Sequence, residues 1–141
     1  MKRDEALAPL SREHHDALIL ARLLQKNAPA YKNLPIETSE KAAYALEMYN
    51  NNLQDHFLKE EKMLDKLKNI HAEIDRLSAE IITEHRMLTI SFMGLNKKED
   101  LVEAMDTLGF TLEKHIRKEE RILFPLIQQH CSQEILKTIV L

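Results

Sequence analysis

Three features of the 141-residue chain predict an all-helical fold. It has only 2 glycines and no tryptophan in a composition rich in Leu, Ala, Glu and Lys. Long stretches lack both Gly and Pro, and within them apolar residues recur at the helical period. The first helix is expected from an N-cap at Ser11 to about Lys26, where Asn27, Pro29 and Pro35 break the pattern. A second and longest helix is expected from about Ile36 to Asn69, with Ala42, Leu46, Tyr49, Leu53, His56, Met63 and Leu67 on one stripe. A third is expected over 72–92, with Leu77, Ile81, His85, Leu88 and Phe92 on its stripe and Gly94 at its end. The fourth begins near Lys98 to Asp100 and carries Leu101, Met105, Leu108, Leu112, His115, Glu119 and Ile122. Pro125 supplies no amide to the carbonyl of Arg121, so the end of that helix should bend or loosen. Residues 132–141 fit a short terminal helix.

Short connections between long helices make antiparallel neighbours, and an up-down-up-down four-helix bundle is the simplest closure. A chain that is 44% hydrophobic and 30% charged can bury one core, so a single domain over 1–141 is expected. The net charge is −3 with acids and bases interspersed, which leaves no basic face for phosphates or an anionic membrane. No segment approaches the ~20 apolar residues of a membrane span, and no signal-length apolar run follows Met1. These features predict a cytoplasmic protein with neither a nucleic-acid nor a membrane partner. Cys131 is the only cysteine, which excludes an internal disulfide and a thiolate metal cage. Any bound metal must be held by nitrogen and oxygen.

His56-Phe-Leu-Lys-Glu60-Glu61 and His115-Ile-Arg-Lys-Glu119-Glu120 are one phrase written twice. A histidine and a carboxylate four residues apart project from the same face of a helix, so two such helices can meet around shared metal. The other two helices each add histidine: His14 and His15 on the first and His85 on the third. Counting back from a turn near Asn69 and Ile70 places His56 and His85 within ~3 Å of one level, whereas Glu119 counts several residues deeper than His85. His14 shares a stripe with Leu10, Ala17, Leu18, Ala21 and Leu24, while His15 lies nearer the polar side, so His14 is favoured as the ligand of that helix, with His15 as its support or as the ligand in its place. The candidate metal ligands are therefore His14, His15, His56, Glu60, His85, His115 and Glu119. Four imidazoles and two carboxylates suit a two-metal site, because a carboxylate can bridge two ions and offset their charge. Glu61 and Glu120, 100° further round their helices, read as rim charges, and His71 and His130 as helix-end charges. Met63, Met87 and Met105 read as core, and Tyr49 as core or a support of the ligands.

Taken together, Arg12-Glu-His-His, His56 to Glu61, Glu84-His-Arg and His115 to Glu120 resemble the hemerythrin family and its bacterial HHE cation-binding relatives over nearly the whole chain. The resemblance implies a non-haem di-iron centre within an antiparallel four-helix bundle. Glu60 and Glu119 would bridge the irons, and His14 or His15, His56, His85 and His115 would be terminal ligands. It also implies binding of O2, or of another small diatomic or peroxide ligand, for storage, sensing or scavenging. The oxygen carriers of the family place a further histidine one turn before that of the third helix, and here the position is Ile81, which would leave a water, Glu84 or a solvent-exchangeable position in its place. Two rival readings keep the helices but change the chemistry: a di-iron enzyme of peroxidase or ferroxidase type, and a metal-free helical interaction module.

Overall fold

Pro9 explains where the chain first becomes helical. Its missing N–H falls in the first turn, where no intrahelical bond is needed, and α1 (Ala8–Leu24) starts around it. The carbonyl of Asp4 accepts the amides of Leu7 and Ala8, so the helix begins ahead of Ser11. Ser11, expected as the N-cap, is instead inside α1, and its hydroxyl donates to Glu120 Oε2 at 2.7 Å. The computed structural model describes residues 2–141, and among them there is no strand.

The second helical run covers 38–66 in three pieces: α2 (Thr38–Met48), a π-helical segment (Tyr49–Leu53) and α3 (Gln54–Lys66). Asn69, in the left-handed region at φ 66, turns the chain into α4 (Ala72–Met93). His71 is the N-cap of α4, its Nδ1 accepting the amide of Glu73 at 3.2 Å, where a charge at the end of the preceding helix was expected. After a 3-10 turn at Leu95–Lys97, Asp100 caps α5 (Leu101–Lys118) by accepting the amide of Glu103. A second π-helical segment (Glu119–Leu123) leads to α6 (Phe124–His130), and Ser132 caps the short α7 (Gln133–Leu136). The loosening expected ahead of Pro125 is this π segment.

That segment also corrects the apolar stripe. A π turn holds one more residue than an α turn, so the stripe steps from Glu119 to Leu123 rather than to Ile122. Leu123 is fully buried, and Ile122 is 52% exposed. Met87, expected in the core, is likewise exposed, whereas Met63 and Met105 are buried. Tyr49 is core, with its hydroxyl donating to Thr89 rather than supporting a ligand histidine.

α1 packs along α5 and against α2 and α3, while α4 packs against α3 and α5. Gly109 permits the α1–α5 approach, because a Cβ there would lie 2.5 Å from the carbonyl oxygen of Ala21. Two apolar clusters form the core. One gathers Ala17, Leu24, Phe57, Leu88, Phe92, Leu112 and Ile116, and the other Leu10, Met63, Leu64, Ile81, Leu123 and Phe124. On each helix that contributes to both clusters, the residue between the two apolar stretches is polar: His14 on α1, Glu60 on α3, His85 on α4, and Glu119 after α5. A polar layer therefore crosses the interior between two apolar ones. No helix of the described residues is long and apolar enough to cross a membrane.

Candidate metal centre

The polar layer consists of His14, His56, Glu60, His85, His115 and Glu119, none more than 4% exposed. The i, i+4 spacing places His56 Nε2 3.1 Å from Glu60 Oε2, and His115 Nε2 3.2 Å from Glu119 Oε1. His14 Nε2 reaches both carboxylates, at 3.3 Å from Glu60 Oε2 and 3.2 Å from Glu119 Oε1. His85 Nε2 meets the other oxygen of Glu60, Oε1, at 2.9 Å. Glu60 thus turns one oxygen to His14 and His56 and the other to His85. His15, the other candidate on α1, is exposed and takes no part.

These atoms fall into two overlapping groups: His14, His56, Glu60 and Glu119, and Glu60, His85, His115 and Glu119. Within each group the ligand atoms lie within 4.8 Å of one another, a spacing that could hold a metal ion. Most of them lack a hydrogen-bond partner. His14 Nε2, His56 Nε2, His115 Nε2, Glu60 Oε2 and both oxygens of Glu119 are buried and unpartnered, their mutual contacts lacking hydrogen-bond alignment. Leaving a buried polar atom unpaired costs about 1–3 kcal/mol, and more where it is charged. A cation coordinated in each group would satisfy these atoms. The donors are imidazole nitrogen and carboxylate oxygen with no thiolate, so the set fits a divalent transition metal.

The outward nitrogen of every ligand ring is held by a carboxylate from a neighbouring helix. His14 Nδ1 is 2.7 Å from Glu120, His56 Nδ1 2.7 Å from Glu13, His85 Nδ1 2.9 Å from Glu61, and His115 Nδ1 2.7 Å from Glu84. Such a partner fixes the tautomer that turns Nε2 inward and raises the basicity of the ring. Glu61 and Glu120 are therefore not idle rim charges. Glu13 and Glu84 are anchored in turn by Lys59 and Lys118, at 2.8 and 2.7 Å. Two aromatic rings set the imidazole planes as well: Phe57 stacks on His85 at 4.2 Å, and Phe124 on His14 at 5.7 Å.

The electrostatics follow from burying two carboxylates among imidazoles. Burial disfavours an imidazolium at His14, but the carboxylates of Glu119, Glu120 and Glu60 outweigh it and raise the pKa to about 11. Burial is likewise outweighed at His115, raised to about 10 by Glu119 and Glu84, and at His56, raised chiefly by Glu60. Glu60 is held well below the usual carboxylate range, the surrounding histidines overcoming its complete burial. Glu84 is lowered to about 2, where burial is opposed by His115 and Lys118.

The sequence placed the inner six residues but missed Glu13, Glu61, Glu84 and Glu120 as ring partners. The available signal was adjacency: each stands one residue before or after a candidate ligand. The count that set Glu119 deeper than His85 is overturned, since both belong to one group. His85 lies 8 residues before the end of α4 and His115 lies 14 after the start of α5, yet their rings are 5.0 Å apart. At ~1.5 Å per residue, α5 must begin about 9 Å beyond the end of α4. The 3-10 turn and the extended residues after it cover that distance.

Comparison of the chain with protein-family models, with curated proteins and with solved structures finds no match in any of the three.

Proposed function

We propose that this chain is a hemerythrin-like protein, an antiparallel up-down-up-down four-helix bundle whose polar layer holds a carboxylate-bridged pair of non-haem irons and binds O2 or a related small ligand there. One observation carries the proposal: two four-residue ligand groups share Glu60 and Glu119, and Glu60 divides its two oxygens between them. A single-metal site needs no such sharing. The residue pattern that resembles the hemerythrins is the pattern that converges in space, with His14 as the α1 member.

A di-iron centre supplies electrons to a small ligand bound at it. The chain does the rest. His14 and His56 would hold one ion, His85 and His115 the other, and Glu60 and Glu119 both. Glu120, Glu13, Glu61 and Glu84 keep the four rings turned inward. Leu112 and Leu88 on one side and Ile81 on the other exclude bulk water, each being 1% exposed or less. Ile81 also gives the second group no further protein nitrogen, so that ion keeps fewer protein ligands than in the oxygen carriers. This suits sensing or scavenging as well as storage.

Metal analysis of protein purified without added metal, with absorption spectra before and after anaerobic reduction and again in air, tests the proposal. About two irons per chain, with near-ultraviolet bands that bleach on reduction and return in air, is the expected result. Zinc or no metal, with no such bands, would refute it. Repeated turnover of peroxide or Fe(II) in the presence of reductant would replace ligand binding with the enzyme reading.

A further inference from the structure

We infer that the small polar cavity over His56 is the path by which a divalent cation reaches the buried centre. The inference rests on the metal-centre reading and adds to it the route of loading. All six inner ligands are at most 4% exposed, so an ion needs a defined way in. A cavity of about 110 Å³ between α1 and the start of α3 is lined by Glu13, Asp16, Asn51, Asn52, Asp55 and His56. His56 is 4% exposed, its Nε2 has no hydrogen-bond partner, and that atom stands 3.1 Å from Glu60. The wall of the cavity is thus itself a member of the centre.

The polar part of that wall, which Ala17, Met48 and Leu53 complete with apolar surface, suits a hard or borderline dication. Three carboxylates and two amide carbonyls offer oxygen. Lys59 already sits as a cation between two of the carboxylates, 2.8 Å from Glu13 and 3.3 Å from Asp55, while Asp16 pairs with no cation among the described residues. The mouth therefore keeps a net negative charge, and a dication that displaces the ammonium is left with only the His56 ring between it and Glu60. Asn51 and Asn52 belong to the π segment Tyr49–Leu53, where the widened turn places consecutive side chains on the cavity. A second groove, of about 410 Å³, also reaches the centre, at His85. Its lining includes Phe57, Leu58 and Ile90, and its one carboxylate, Glu61, is accompanied by Arg86. Apolar walls and a guanidinium disfavour a bare cation there.

The test is the rate of Co(II) uptake by the metal-free full-length protein, followed by absorbance after rapid mixing at low and high salt. Asp16→Asn combined with Asp55→Asn, and separately Asn51→Lys, change only exposed side chains. Each unit of negative charge lost at the mouth should slow uptake of a dication roughly fivefold at low ionic strength, with salt erasing the difference. The final amount of Co(II) bound should stay that of the parent protein. Unchanged rates in both variants overturn the inference, as does faster uptake in Arg86→Gln, which would assign the path to the other groove. Reduced final binding in the Asp16/Asp55 variant also overturns it, by making those residues ligands rather than a route. A parent protein that takes up no Co(II) refutes the metal centre itself, and the path with it.

Discussion

Loading the centre should expel protons, about one for each cation. Glu60 and Glu119 are completely buried, and two uncompensated carboxylates in such a place would be strongly destabilising. Before a metal arrives, protons on the imidazoles provide the balance: His14 is raised to about 11 and His115 to about 10, so both are charged at neutral pH. Each belongs to a different ligand group. A ring can bind metal only when its nitrogen is free, so each cation displaces one proton at least, and the raised His56 adds to the share of the first group. The apparent affinity should therefore climb about tenfold, or ~1.4 kcal/mol, for each pH unit from 6.5 upwards. The climb should flatten only near pH 10 for the second group. Calorimetric titration with Zn(II) in two buffers of different ionisation enthalpy counts the protons directly. Heats that do not depend on the buffer, together with an affinity flat between pH 6.5 and 8.5, would refute the reasoning. The sign for the chelated protein is opposite: groups with raised pKa values stabilise fully below about 6.5 and lose that contribution as pH passes 10 to 11. Its melting temperature should therefore fall steadily from about pH 6.5 into alkali.

Three further outcomes are expected. His56→Ala and His115→Ala should each lose metal, and with it the ~4 kcal/mol that a ligand at 1,000 times its dissociation constant lends the native state; melting with and without chelator reads the loss, and His15→Ala should behave as the parent. Glu13→Gln or Glu84→Gln should weaken metal binding about 10- to 100-fold by freeing a ligand ring, and affinities equal to the parent's in competition with a chromophoric chelator would show that the ring partners are dispensable. Gly109→Ala should destabilise by about 1–3 kcal/mol in urea, since its methyl meets a backbone oxygen of α1 that cannot step aside.

Much of this molecule was legible because helices carry their own ruler. The i, i+4 rule makes His56 and Glu60, and likewise His115 and Glu119, neighbours whatever the tertiary fold, and the stripe logic that favoured His14 over His15 needs only the 3.6-residue period. What failed did so where the ruler changes length. The π segment at Glu119–Leu123 inserts one residue into a turn and exchanges Ile122 for Leu123 at the core, a shift no periodic reading anticipates. The depth of Glu119 was misjudged because the connection between α4 and α5 climbs rather than turns. The four ring partners were missed for a third reason: each contact is between helices, and neighbours across helices are not written in the spacing along either one.

The crossed pattern of those partners shows why the sequence repeats at all. His56 is held by Glu13 of α1 and His115 by Glu84 of α4, while His14 and His85 are held by Glu120 and Glu61, which follow Glu119 and Glu60. Lys59 and Lys118 complete the correspondence by anchoring Glu13 and Glu84. A helix pair that presents Glu-His on one member and His-x-x-Lys-Glu-Glu on the other thus supplies one half of the centre, and each half completes the other through an outer carboxylate. The halves differ in what packs on the rings: Phe57 covers His85 at 4.2 Å, whereas Phe124, reached through the π segment after Glu119, stacks on His14 at 5.7 Å. The α3–α4 groove reaches His85 and the cavity beside α1 reaches His56, so the two ligand groups face solvent through walls of opposite character, one largely apolar and one acidic. Two ions held by near-equivalent ligands would consequently differ in access. Exchange of Co(II) against a chelator should then be biphasic, with the slower phase lost in His85→Ala, and a single phase in the parent protein would mean that the halves are equivalent in practice.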